Sequence, residues 1–333
     1  MKNIAFVGAL LAVATPSFAA PAMMKAIVAH EYGGPEVLKY EDVPRPQPKE
    51  NEILVRVIAA GVNPVDTYMR NGKFAPAGPA GALPLIPGRD IAGVVEEIGP
   101  GVTKFKAGDA VYGNVRNGGY AEFAVAAEKD IALKPASLDF VQAAAVPVAA
   151  RTAWNALVET AHVAAGQTVL IQGGSGGVGS FAIQIAKIRG AKVYATASTA
   201  NQDLLKELGA DVAIDYTKQK FEDVVKDVDV VLEAAGKETL ERDYAVVKKG
   251  GSLISIVGPA DAAKAQQYGI QAPPLSAAGW SSLPELTKLF DAKKLKVVVT
   301  QTLPLSEARA AQEQVGSHHT RGKIVLKVAD EPK

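Results

Sequence analysis

Two groups of residues in this chain have the types and spacing to do chemistry. The first lies in residues 167–190, QTVLIQGGSGGVGSFAIQIAKIRG, where Gly174, Gly176 and Gly179 form GxGxxG. The apolar run before them reads as a buried parallel strand, and Val178, Phe181, Ala182, Ile185 and Ala186 follow at helical spacing. Strand, glycine turn and helix in this order suit a dinucleotide. The first glycine allows a tight turn, the second lets backbone approach a pyrophosphate, and the third lets helix and strand pack closely, so the helix N-terminus faces the anion. The second group lies in residues 61–74, GVNPVDTYMRNGKF, where Asn63, Asp66 and Tyr68 stand beside a turn that Pro64 can start. Neutral hydrogen bonds from Asn63 and Tyr68 could hold a carbonyl oxygen, and Asn63 or Asp66 could equally cap a helix.

The strand after the glycine helix bears on which dinucleotide fits. An NAD site presents Asp or Glu about twenty residues beyond the first glycine. Here the positions read Thr196, Ala197, Ser198, Thr199, with no carboxylate. A small polar strand end leaves room for a 2′-phosphate, so NADP(H) is expected, with Ser198 and Asn201 as hydrogen-bonding candidates. No Arg or Lys follows the strand at once, so the countercharge must come from elsewhere. Arg89 and Asp90 enter a strand after a Pro-Gly turn and read as a surface or locally paired couple. The glycine-rich residues 113–125 read as a hairpin or cleft rim, and Phe74, Tyr112 and Tyr120 are expected to shape the pocket.

Composition narrows the field. The 333 residues carry 36 Lys and Arg against 35 Asp and Glu, a net charge of +1, which predicts no nucleic-acid or membrane steering and favours small-molecule partners. Cysteine is absent, which removes disulfides, thiolate catalysis and every zinc site built on Cys. The four histidines, His30, His162, His318 and His319, form no HxxxH or HExxH, so no metal site is expected. Lys2, the apolar run IAFVGALLAVA and the small residues at Ser17 and Ala19 read as a secretory signal over residues 1–20, which implies a periplasmic or secreted protein. Translation from Met23 or Met24 would instead give a cytoplasmic one.

Elements that must position these residues can be read along the chain. Residues 25–146 show short apolar runs with Pro and Gly punctuation, the texture of a barrel-like β domain. The proline-dense residues 43–48 read as an extended surface connection. Pro147 breaks an alanine-rich helical stretch before a second helix through Thr152 and Trp154, and strand candidates then alternate with helices as a doubly wound parallel sheet requires. The apolar terminal strand GKIVLKV needs a sheet to join. The nucleotide domain, 147–283, therefore reads as an insertion into a discontinuous domain of residues 24–146 and 284–330.

Taken in order, MKAIVAHEYGGPEVL, GVNPVDTYMRNG, IPGRDIAGVVEEIG, GGYAEFAV, VAARTAWNAL, GGSGGVGSFAIQIAK, ELGADVAIDY and RGKIVLKV resemble the zinc-independent quinone oxidoreductases of the medium-chain dehydrogenase/reductase superfamily, zeta-crystallin among them. The resemblance covers nearly all of the chain after Met24. It implies a GroES-like catalytic domain around an inserted Rossmann domain, a cleft between them, a homodimer, and NADPH-dependent hydride transfer to a quinone or enone. An NADPH-binding, crystallin-like protein with little turnover is the alternative. Zinc-dependent relatives carry Cys where Asn63 stands and His near Arg89 and Asp90. The resemblance implies that Asn63 and Tyr68 face substrate, that Thr152 and Gly258 lie near the nicotinamide, and that Ser175, Gly176, Gly177 and Val178 form the pyrophosphate loop. It places Tyr216 against the adenosine phosphate. Asn201 stands where many relatives have Lys, and Arg321 or Lys323 is the expected phosphate partner.

Overall fold

Apolar alternation broken by glycine and proline builds the strand-rich first part of the computed structural model, which describes residues 22–74, 82–276, 281–317 and 319–331. The expected leader and His318 lie outside the described residues. The elements are β1 (Met23–Ala29), β2 (Leu38–Pro44), β3 (Glu52–Val62), α1 (Pro64–Arg70), β4 (Asp90–Ile98), β5 (Ala110–Asn114), β6 (Phe123–Ala127), β7 (Ile131–Leu133) and α2 (Phe140–Ala144). The stretch expected to be a connection at 43–48 begins inside β2, whose Val43 and Pro44 pair with β1. β3 is the hub, antiparallel to both β4 and β6. Near its end Gly61 lies opposite Asp90, and a Cβ there would stand 2.2 Å from the Ala144 carbonyl, so only glycine lets α2 close over this corner.

The proline break gives α3 (Pro147–Trp154), which continues as a π-helical stretch, Asn155–Thr160. Then follow β8 (Thr168–Ile171), α4 (Gly177–Ile188), β9 (Lys192–Ala197), α5 (Gln202–Glu207), β10 (Val212–Asp215), β11 (Val228–Glu233), α6 (Lys237–Asp243), β12 (Val247–Ser255) and α7 (Ala262–Tyr268). The five strands are parallel in the order β10-β9-β8-β11-β12, and a single parallel bridge from Ser252 to Gln271 extends the sheet past β12. Strand order reverses between β8 and β11, the place where doubly wound sheets open a crevice for ligands. Phe181, Ala182, Ile185 and Ala186 on α4 are buried, as their spacing predicts.

The chain ends with α8 (Leu283–Asp291), β13 (Val299–Pro304), α9 (Ala308–Gly316) and β14 (Lys323–Lys327). Buried Ile324, Val325 and Leu326 carry β14 back to the first sheet, antiparallel to β3 and parallel to β13. That sheet runs β13-β14-β3-β4-β5-β7, with β6 also on β3. One apolar core joins the two sheets: Phe181 of α4 meets Phe290 of α8 edge to face, with centroids 6.1 Å apart. Truncating either ring to alanine would cost about 3–5 kcal/mol.

Candidate functional site

The glycine turn after β8 differs from the motif reading in one respect. The left-handed residue is Gly173, with φ of +66°, while the space beside Gly174 is filled by Leu205 and Ala195, 2.6 and 3.0 Å from a Cβ there. Gly174 is therefore a packing glycine rather than the turn-former. Gly179 behaves as expected, since a Cβ would lie 2.2 Å from the Gly173 carbonyl where helix meets strand. Gly176 precedes α4, and no side chain caps the helix start at Gly177. The Gly176 N–H donates to the Gly173 carbonyl at 3.0 Å, which leaves the Val178 and Gly179 amides and the helix dipole to an anion, with Ser175 and Val178 half-buried beside them. Gly322 pins this loop to the first sheet, its N–H donating to the Ser175 carbonyl at 2.8 Å.

At the end of β9, Ser198 and Asn201 are half-buried and bonded to each other, Asn201 Nδ2 donating to Ser198 Oγ at 3.2 Å. β9 itself offers no carboxylate there, but β10 brings one, because Asp215 pairs in register with Ala197. Hydroxyl donation from Thr199 at 2.6 Å and Thr217 at 2.7 Å holds the Asp215 carboxyl down at about 2. Lys218 places its ammonium 3.5 Å from Asp215, a cation at this end of the crevice that the sequence reading missed by looking only behind β9. Tyr216 is 55% exposed beside it. Thr152 on α3 and Gly258 beyond β12 are half-buried, and nothing would lie within 4 Å of a Cβ on Gly258.

Next to the glycine loop, where Lys323 lies against Gly177, a buried polar array departs most from expectation. Asn63 sits at the N-cap of α1, its backbone N–H donating to Asp66 Oδ2 at 2.9 Å. Its side chain is only 2% exposed: Nδ2 donates to Asp90 Oδ2 at 2.9 Å and Oδ1 accepts from Lys323 Nζ at 2.5 Å. The amide is engaged inside the protein, which corrects the expectation that it donates directly to a substrate oxygen. Asp90, far from being half of a surface couple, is fully buried and accepts also from Asn114 Nδ2 at 2.6 Å and the Val148 N–H at 3.0 Å. Burial pushes its carboxyl up, opposed first by the Lys323 charge. Lys323 is likewise no phosphate ligand: it is 4% exposed, and its ammonium turns inward to Asn63 and to the Val62 carbonyl at 2.8 Å. Arg321 is exposed and one residue from the pinned Gly322.

Tyr112 and Tyr120 do not line an open pocket, for both are fully buried. Tyr112 bonds Thr287 and the Leu283 carbonyl of α8, and Tyr120 donates to Asp66 Oδ2 at 2.8 Å. Desolvation raises the Asp66 carboxyl to about 7. Tyr68 is half-buried, with Phe74 edge-on at 5.3 Å and the Lys73 ammonium over its ring; its hydroxyl has no hydrogen-bond partner among the described residues. That hydroxyl is free to meet a ligand.

Residues 49–136 match the alcohol dehydrogenase GroES-like domain family and residues 208–326 the zinc-binding dehydrogenase family. The NADPH-dependent alkenal/one oxidoreductase of Arabidopsis thaliana chloroplasts is 39% identical over 324 residues, covering 92% of this chain and 80% of that protein. The chain belongs to the medium-chain dehydrogenase/reductase superfamily, in its zinc-independent quinone oxidoreductase branch. Among solved members of the superfamily, a quinone oxidoreductase from Coxiella burnetii superposes with a TM-score of 0.85 at 35% identity, covering 92% of this chain and all of that one. A mycobacterial protein solved in complex with NADPH superposes with a TM-score of 0.83 at 30% identity, over 92% of this chain and all of that one. The zinc in the matched family's name does not fit the residues present. Among the described residues no three His, Cys, Asp or Glu side chains converge as metal ligands, and Lys323 already sets an ammonium on Asn63 beside Asp90.

Proposed function

We propose that this member of the superfamily is an NADPH-dependent reductase that delivers hydride to quinones or α,β-unsaturated carbonyls. One observation carries the reading: the uncapped start of α4 is docked through Ser175 and Gly322 beside the buried Asn63, Asp90 and Lys323, so an anion cradle adjoins a polar crevice wall. The residues fit the cofactor. The Val178 and Gly179 amides and the dipole of α4 suit a diphosphate, and Ser198, Asn201, Tyr216 and the Lys218 ammonium beside Asp215 suit an adenosine 2′-phosphate, with exposed Arg321 as a further cation for it. When bound, NADPH supplies the hydride. Thr152 and Gly258 border the nicotinamide side. Tyr68 donates its hydroxyl to the acceptor oxygen, where electron density gathers, and Asn63 holds the wall against which the acceptor rests. An electron-poor quinone or enone needs little acid assistance beyond this. The names of the relatives support both acceptor classes.

Purified protein incubated with NADPH and a panel of quinones and enones tests this, and is expected to consume NADPH with at least one class; no consumption with any acceptor would refute it. We also infer a homodimer, supported by the resemblance to quinone oxidoreductases, and export, supported by the apolar run before Pro16. Light scattering and the intact mass of the protein from its native host test these two.

A further inference from the structure

The residues that lead into β14 touch both halves of the crevice. Gly322 donates to Ser175 in the glycine loop, and the next residue, Lys323, donates its own N–H to the Val298 carbonyl at 2.8 Å. The aliphatic stem of Lys323 lies under Gly177, where a Cβ would come within 2.9 Å of its Cδ. The stem is thus part of the floor of the anion cradle. Beyond it the ammonium passes inward and ends on the Val62 carbonyl and Asn63 Oδ1.

These contacts fix the amide of Asn63 without ambiguity. A lysine ammonium only donates and an ionised carboxylate only accepts, so the amide oxygen must face Lys323 and the nitrogen must face Asp90. A buried ammonium is costly unless its hydrogens have acceptors and its charge has a counterpart. Here the acceptors are Val62 and Asn63, and the counterpart is Asp90. The array pairs the Lys323 ammonium with Asp90 and sets it at a fixed place beside the glycine loop, and no step described above uses it.

We propose that Lys323 is a positioning residue for the reduction, locking Asn63 in the crevice wall and holding a fixed positive charge there against the negative charge that develops on the acceptor oxygen. In that step NADPH would be oxidised to NADP+ as its C4–H bond breaks and the hydride forms a C–H bond at the β-carbon of an enone, the π electrons would move to oxygen, and a proton from solvent would complete the product. The assignment rests on the reductase reading and names the charge that serves the same site.

The charge has a pH signature. Burial lowers the Lys323 pKa below the ordinary lysine range, while Asp90 and then Asp66 oppose that shift. The groups facing it are Asp66 from α1 and Asp90 from β4, with Tyr120 behind Asp66 and Arg151 behind Asn114. The ammonium is therefore lost as pH rises, at a lower pH than in a free lysine, and turnover falls with it.

The experiment measures kcat and KM across pH for the wild type, Lys323→Met and Lys323→Arg, with NADPH affinity followed by fluorescence quenching. Met keeps the stem and loses the charge; it should lower kcat about tenfold to hundredfold and abolish the alkaline limb, while NADPH affinity changes far less. Arg should restore part of kcat and move the limb to higher pH. The double variant Lys323→Met with Asp90→Asn removes both charges together, so it is the folded comparison if Met alone fails to fold, and it too should lack the limb. A wild type with no alkaline limb below the ordinary lysine range, a Met variant with unchanged kcat, or a limb at the same pH in every variant would overturn the assignment. A wild type that reduces no acceptor would overturn the reductase reading and this assignment together, whereas an active wild type with an indifferent Lys323 would overturn this assignment alone.

Discussion

Replacing Asp243 by Asn should stabilise the fold relative to wild type by about 1.4 kcal/mol more for each pH unit between about pH 5 and about pH 8. Asp243 and Glu233 are both fully buried, at the ends of α6 and β11. Gln172 Nε2 donates to Asp243 Oδ1 at 2.7 Å, Thr196 Oγ1 donates to Gln172 Oε1 at 2.7 Å, and the Gly173 N–H donates to Thr196 Oγ1 at 3.2 Å, so the chain of bonds ends in the glycine turn. Glu233 Oε1 accepts the N–H groups of Ala235 and Gly236. Desolvation, and then the bond and charge of Glu233, push the Asp243 carboxyl up to about 9. Two adjoining buried carboxyls cannot both ionise.

The sign follows from proton counting. Between the ordinary carboxylate range and about 9 the folded chain keeps a proton that the unfolded chain has released, so the contribution of Asp243 to stability is full below that window and is lost as pH rises through it. A single proton sets the slope, whatever the depth of the shift. Asparagine imitates the protonated acid, donating to Glu233 and accepting from Gln172, but does not titrate. Urea denaturation of both proteins at a series of pH values measures the difference directly. A difference independent of pH would refute the shared proton. Asp243→Ala should instead destabilise by about 2–4 kcal/mol, because buried Gln172 Nε2 loses its acceptor and Glu233 loses the neighbouring acid.

Gly179→Ala should cost about 3 kcal/mol or more and weaken NADPH binding, since the new Cβ meets backbone atoms of Gly173 and Gly174; a normal melting temperature with normal affinity would contradict the packing described. Ser198→Asp puts a carboxylate where the 2′-phosphate is expected and should lower the preference for NADPH over NADH about tenfold to hundredfold, read from kcat/KM for each cofactor. Tyr68→Phe should lower kcat about tenfold to hundredfold with denaturant stability within about 0.5 kcal/mol of wild type, because the lost hydroxyl has no partner among the described residues; unchanged kcat would remove Tyr68 from the reaction.

Local periodicity made the two sheets legible. The apolar stripe of α4 and the glycines ahead of it specify a strand, turn and helix from neighbours in sequence, and Ile324 to Leu326 can only be buried in a sheet. The polar array was not legible, because Asn63 at the start of α1, Asp90 of β4, Asn114 of β5, Arg151 of α3 and Lys323 of β14 come together from places far apart in the chain. Asp90 was misread for that reason: beside Arg89 it looks like a surface pair, and only the fold brings Asn63, Asn114 and Lys323 to it. Lys323 was misread as a phosphate ligand because a lysine next to a glycine near the cofactor loop has the right charge, while the direction of its side chain depends on the register of β14 against β3. Lys218 was missed because the countercharge arrives from the neighbouring strand β10.

The central claim is best tested in a single turnover: protein preloaded with NADPH is mixed with an enone or quinone, and nicotinamide absorbance is followed with hydrogen or deuterium at the transferred C4 position. A stoichiometric loss that slows with deuterium is the predicted result. No loss with either acceptor class, or a loss indifferent to the isotope, would contradict hydride delivery from a cofactor held at the start of α4.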